Sequence, residues 1–183
     1  MAGGGFYDVN AIQKVAINLF YGWGYNFYRK ENQLRADDLM VRSRACELLG
    51  QAASALSTAE SDYRRQYLPP PTREKPWPDA EAVATVQTLE RLGRDLSALK
   101  ARITAMPVPE NDRMTQRYRQ EAETLAALVA ADEQLIGQAE MLRVALDGRD
   151  GAWVAANLPL MQEGLAALAE TLRQRALALS PTP

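Results

Sequence analysis

The chain contains no histidine and a single cysteine, Cys46. Without histidine there is no Ser-His-Asp triad and no Cys-His pair. Histidine zinc sites, histidine-ligated haem and the Glu-x-x-His di-metal site of ferritin-like bundles are excluded as well. One thiol cannot close an intrachain disulfide, build a cysteine-rich zinc site or hold an iron–sulfur cluster from this chain alone. Only 4 lysines are present beside 17 arginines, and the formal net charge is −2. That balance argues against a nucleic-acid binder relying on bulk positive charge. No run of 18 apolar residues occurs, so no ordinary transmembrane helix is expected.

The N-terminus lacks a cationic region before an apolar stretch, and Met-Ala-Gly is not the myristoylation pattern. The expectation is a cytoplasmic protein. Strand patterning is missing too, since nothing alternates apolar and polar over a useful length. What remains chemically is carboxylate, Arg, Lys, Tyr or Ser/Thr. We expect no cofactor and no metal.

What the chain has in abundance is helix formers: 30 Ala and 23 Leu among 183 residues, with 47% apolar side chains. Apolar residues recur every three or four positions in four long stretches. The first runs through Leu34, Val41, Ala45, Leu48, Ala52, Leu56, Ala59, Tyr63 and Tyr67, and Pro69-Pro70-Pro71 must end it. The second follows a cap at Asp79, through Val83, Val86, Leu89, Leu92, Leu96, Leu99, Ile103 and Met106, and stops at Pro107. The third starts near Asn111 and carries Met114, Tyr118, Leu125, Leu128, Leu135, Ala139, Leu142 and Leu146. After a turn at 147–151, the fourth carries Val154, Leu158, Met161, Leu165, Leu168, Leu172 and Leu179. Pro159 implies either a kink or a short turn at 151–157 before the main helix.

The pattern predicts a single all-α domain over 1–183. Its architecture is an antiparallel bundle of four long helices plus a bent N-terminal aromatic helix. Residues 1–7 form a lead, 68–78 a proline-rich connection with Trp77 packed on the bundle, and 180–183 a tail. Cys46, beside the seam, reads as a small buried hydrophobe.

Eight of the 13 aromatic residues lie within the first 28 positions, and Val15 to Tyr28 carries no charge. Phe20, Trp23 and Phe27 share one helical face, while Tyr21, Tyr25 and Tyr28 share another. Gly22 and Gly24 interrupt the pattern, at about 1 kcal/mol each relative to Ala. Four uses of this segment are open: a helix buried all round, a protein interface, a membrane-surface contact beside Lys14, Arg29 and Lys30, or a pocket for an apolar or aromatic ligand. The expected contact residues are Phe20, Tyr21, Trp23, Tyr25, Phe27, Tyr28, Arg29 and Lys30. Their expected partner is another protein or a second copy of the chain.

Two acids stand where apolar residues belong. Asp38 falls between Leu34 and Val41, and Asp132 between Leu128 and Leu135. A carboxylate there is at least partly buried and needs an arginine: Arg35, Arg42 or one on another helix. With Glu121, the two acids form the alternative of a carboxylate site for a hard cation. Arg113, Arg117 and Arg119 make a basic turn that reads as a solvated face or an anion contact. The functional expectation is a non-catalytic interaction module: an adaptor, assembly factor or accessory subunit. The alternative is a bundle that binds a small apolar or aromatic ligand.

Overall fold

The structure, a computed structural model, describes Lys14, residues 34–106 and residues 121–179. Four long helices and one short one account for nearly all of it: α1 (Leu34–Tyr67), α2 (Ala80–Thr104), α3 (Glu121–Leu146), α4 (Gly151–Ala156) and α5 (Leu158–Leu179). The described residues contain no strand, and the helices pack into an all-α bundle.

Each helix end has a local cause. Past Tyr67 the three prolines supply no amide donors, so α1 finishes with Leu68 N–H donating to the Arg64 carbonyl at 2.9 Å. Asp79 adopts extended backbone (φ −64, ψ 124) and its side chain accepts the Glu81 N–H, capping α2. Between α3 and α4 the chain reverses through Gly148 at φ 65, a left-handed conformation open to glycine at little cost. Asp150 then caps α4 by accepting the Trp153 N–H at 2.7 Å. Of the two arrangements open for Pro159, the chain takes the short element first: α4 ends at Asn157, and α5 begins at once. Pro159 sits in the first turn of α5, where no amide donor is needed.

The long helices α1 and α2 run antiparallel, and so do α3 and α5, as the proline- and glycine-marked reversals predict. Arg42, near the start of α1, donates to the Met106 carbonyl just beyond α2 at 2.7 Å, and Arg64 pairs with Glu90 toward the other end. On the other hairpin Asp132 meets Arg175 and Gln138 meets Thr171. The two hairpins join through α1 and α3, and this contact is parallel. Arg175 bridges Asp38 and Asp132 at one end, while Gly151, just past α3, lies against Ala59 and Tyr63 at the other. The helices α2 and α5, also parallel, meet more sparsely than the other neighbouring pairs of long helices.

Among the described residues the buried apolar side chains are Val, Ala, Leu, Ile and Met, with no aromatic among them. The predicted seams supply most of them, including Ala45, Leu89, Ile103, Leu135, Ala139, Val154, Met161 and Leu168, each fully inaccessible. Burying one Leu contributes about 1.5–3 kcal/mol. The seam margins are wetter: Tyr63 and Leu165 are half-buried, and Tyr67 is exposed. Cys46 is half-buried rather than enclosed, its Sγ 3.5 Å from Thr104 Oγ1.

Candidate functional site

The eight expected contact residues, Phe20 to Lys30, lie outside the described residues, as do Arg113, Arg117 and Arg119. The described part offers three features: a buried charge cluster, a groove and an exposed strap.

The charge cluster grows from the two misplaced acids. Asp38 and Asp132 occupy core-facing positions on α1 and α3, and both are fully buried. Arg175 comes from α5, where the core positions Met161 and Leu168 lead to it at seven-residue spacing. Its Nε donates to Asp132 Oδ1 at 2.6 Å, and its Nη2 donates to Asp38 Oδ1. Arg42, one turn along α1, places Nη2 2.8 Å from Asp38 Oδ2 and uses Nη1 on the Met106 carbonyl. Two acids and two arginines thus form a neutral quartet tying three helices and the end of a fourth. Among the described residues, Arg42 Nε and Arg175 Nη1 are buried and find no hydrogen-bond acceptor. Burial pulls the Arg175 guanidinium down, but Asp132 and Asp38 more than offset it, so its proton is held more tightly than usual.

This geometry bears on chemistry. Both acids already face guanidinium groups, which keep their protons under ordinary conditions, so the carboxylates are engaged in structural ion pairs. Among the described residues no group of three or more acids or thiols is arranged to hold a metal ion. The Glu121 side chain, third in the cation alternative, lies outside the described residues.

Sequence reasoning placed Asp38 and Asp132 and named Arg42 as a partner. It also allowed for an arginine on another helix without singling out Arg175, although the signal was present: Arg175 continues the seven-residue series of Met161 and Leu168. It missed the buried hydrogen bond from Thr171 Oγ1 to Gln138 Oε1, 2.9 Å long.

The groove lies where α2 and α5 meet sparsely. Ala98, Leu99, Leu165 and Ala169 line it, with Asp95 and Arg102 among its polar residues, and its volume is about 360 Å³. The small alanine side chains leave the space that larger residues would fill.

The strap corrects an expectation. Trp77 does not pack on the bundle; it is 80% exposed, and residues 69–79 are exposed throughout. Pro76 and Pro78 restrict the backbone on both sides, and Asp79 is committed to capping α2. Further up the strap, Thr72 and Lys75 exchange hydrogen bonds: Thr72 N–H to the Lys75 carbonyl and Lys75 N–H to Thr72 Oγ1, both 3.1 Å.

Among the described residues no helix is long and apolar enough to cross a membrane. Comparison with protein-family models, with characterised proteins and with solved structures finds no match to this chain.

Proposed function

We propose that this chain is a non-catalytic, all-α protein-interaction module of the cytoplasm, an adaptor, assembly factor or accessory subunit, with residues 20–30 as its contact surface. One observation carries the reading. The core of the described helices is wholly aliphatic, whereas eight of the chain's 13 aromatic residues lie in residues 6–28. Aromatic side chains provide large contact area at low entropic cost, and they are enriched at interface centres. The absence of histidine and the pairing of the buried acids with arginine support a binding role over a catalytic one.

The test compares the wild type with Tyr21→Ser/Tyr25→Ser. Affinity capture from the native cells, together with sedimentation velocity, reads hetero- and self-association. The double variant is expected to keep its melting temperature and to lose its stoichiometric partner or its dimer. A variant that loses about 3 kcal/mol of stability instead assigns these rings to a core. A variant that keeps both stability and partner refutes the location.

A second reading has its own support in the α2/α5 groove, whose volume of about 360 Å³ falls in the range of small-ligand pockets. Native mass spectrometry of the freshly purified chain separates the two readings. A bound small molecule lost on Ala169→Phe favours the ligand.

A further inference from the structure

Three of the helices, α1, α3 and α5, each carry a seven-residue series of buried positions occupied by apolar side chains and broken by one charge. The series are Asp38, Ala45, Ala52 and Ala59 on α1, Asp132, Ala139 and Leu146 on α3, and Met161, Leu168 and Arg175 on α5. Within these three series, moving one helix by seven residues against its neighbour exchanges mostly apolar side chains for apolar ones. Apolar burial is non-directional, so there it separates the two alignments only through how well the side chains fit. The charges do distinguish them. Only the observed alignment brings Arg175 Nε to Asp132 at 2.6 Å and Nη2 to Asp38, with Arg42 closing on the same carboxylate at 2.8 Å. A slip of α5 parts Arg175 from both acids and leaves Asp132 without its guanidinium, while Asp38 and Arg42, on one helix, stay together.

We propose that Asp38, Arg42, Asp132 and Arg175 form a register lock. The quartet selects one alignment of α5 against α1 and α3 and adds no net stability. The second half of the statement follows from desolvation. Four charges are withdrawn from water, and among the described residues Arg42 Nε and Arg175 Nη1 recover no hydrogen bond. Well-packed apolar side chains often match such a cluster in stability, whereas an unmatched buried charge is strongly disfavoured. On that basis the quartet holds slipped alignments down by about a hundredfold or more.

The test replaces the whole quartet, Asp38→Leu/Arg42→Met/Asp132→Leu/Arg175→Met, which leaves the net charge unchanged. Register is read by disulfide trapping in a Cys46→Ser background. The pair Gln138→Cys/Thr171→Cys reports the observed alignment and also removes the other buried polar bond of this interface. The pair Gln138→Cys/Ala178→Cys closes only when α5 has moved by seven residues. With the quartet intact, the first pair is expected to close and the second to close about a hundredfold less. With the quartet replaced, the chain is expected to stay helical, to melt no lower than before and to close both pairs. If the replaced chain closes only the first pair, packing alone sets the register and the proposal fails. If it melts lower or does not fold, the quartet stabilises rather than selects, and the proposal fails equally.

Discussion

Removing Arg175 alone differs from removing the quartet, and its cost follows from the geometry. In Arg175→Met the apolar stem is largely preserved, so little cavity is added to the electrostatic loss. Asp132 loses the Nε donor at 2.6 Å, and Asp38 loses one of its two guanidinium partners while keeping Arg42 at 2.8 Å. Both carboxylates remain fully buried. Breaking a buried ion pair from one side costs about 3–5 kcal/mol, because the other charge stays desolvated. Against a total stability of about 5–15 kcal/mol, this is a large fraction. For a chain of this size it corresponds to a fall in melting temperature of about 6–20 °C. Urea denaturation followed by circular dichroism measures the loss, and an unchanged slope excludes a change in the denatured state. Arg65→Met provides the contrast. Its partner Asp62 is 3.0 Å away, but the two side chains are 78% and 56% exposed, so the same deletion is expected to cost less than about 0.5 kcal/mol. If Arg175→Met costs no more than Arg65→Met, water reaches the cluster and the reasoning from burial is wrong.

Gly151→Ala and Gly93→Ala are expected to act in opposite directions in the same melt. A Cβ at 151 would meet Tyr63 Cβ at 2.6 Å and the Ala59 carbonyl oxygen at 2.7 Å, so the variant loses about 1–3 kcal/mol. At 93 it would lie 3.8 Å from Leu56 Cδ2, an ordinary contact, and the variant gains about 0.5–1 kcal/mol of helix propensity. Trp77→Ala is expected to leave stability within about 0.5 kcal/mol, and acrylamide should quench Trp77 more readily than the half-buried Trp153. Single-tryptophan variants measure this directly. Burial pushes the half-buried Glu133 carboxyl above its usual range. Its contribution is then fully present below the unfolded carboxyl value and is lost as pH rises through the folded one. Glu133→Gln is accordingly expected to raise stability at pH 7, by less than about 0.5 kcal/mol given the solvent around it, and to change nothing at pH 3. A larger effect at pH 3 than at pH 7 reverses the assignment.

The local features of this protein were legible before its structure. The three-and-four spacing of Val41, Ala45, Leu48, Ala52 and Leu56, the stop at Pro69-Pro70-Pro71 and the cap at Asp79 all depend on residues within a turn or two of one another. The anomaly of Asp38 and Asp132 was also visible, because a charge in an apolar seam breaks the same local period. The expected contact residues 20–30 stay a reading of composition, since they lie outside the described residues. What answers the buried acids was decided by the tertiary structure. Arg175 stands 137 residues from Asp38 and 43 from Asp132. Periodicity marks which face of a helix is buried but not which neighbour it meets, in which direction or at which height. The parallel contact of α1 with α3 and the close approach of Gly151 to Tyr63 are both consequences of that docking. Each depends on distances between segments remote in sequence, which close together only when the bundle does.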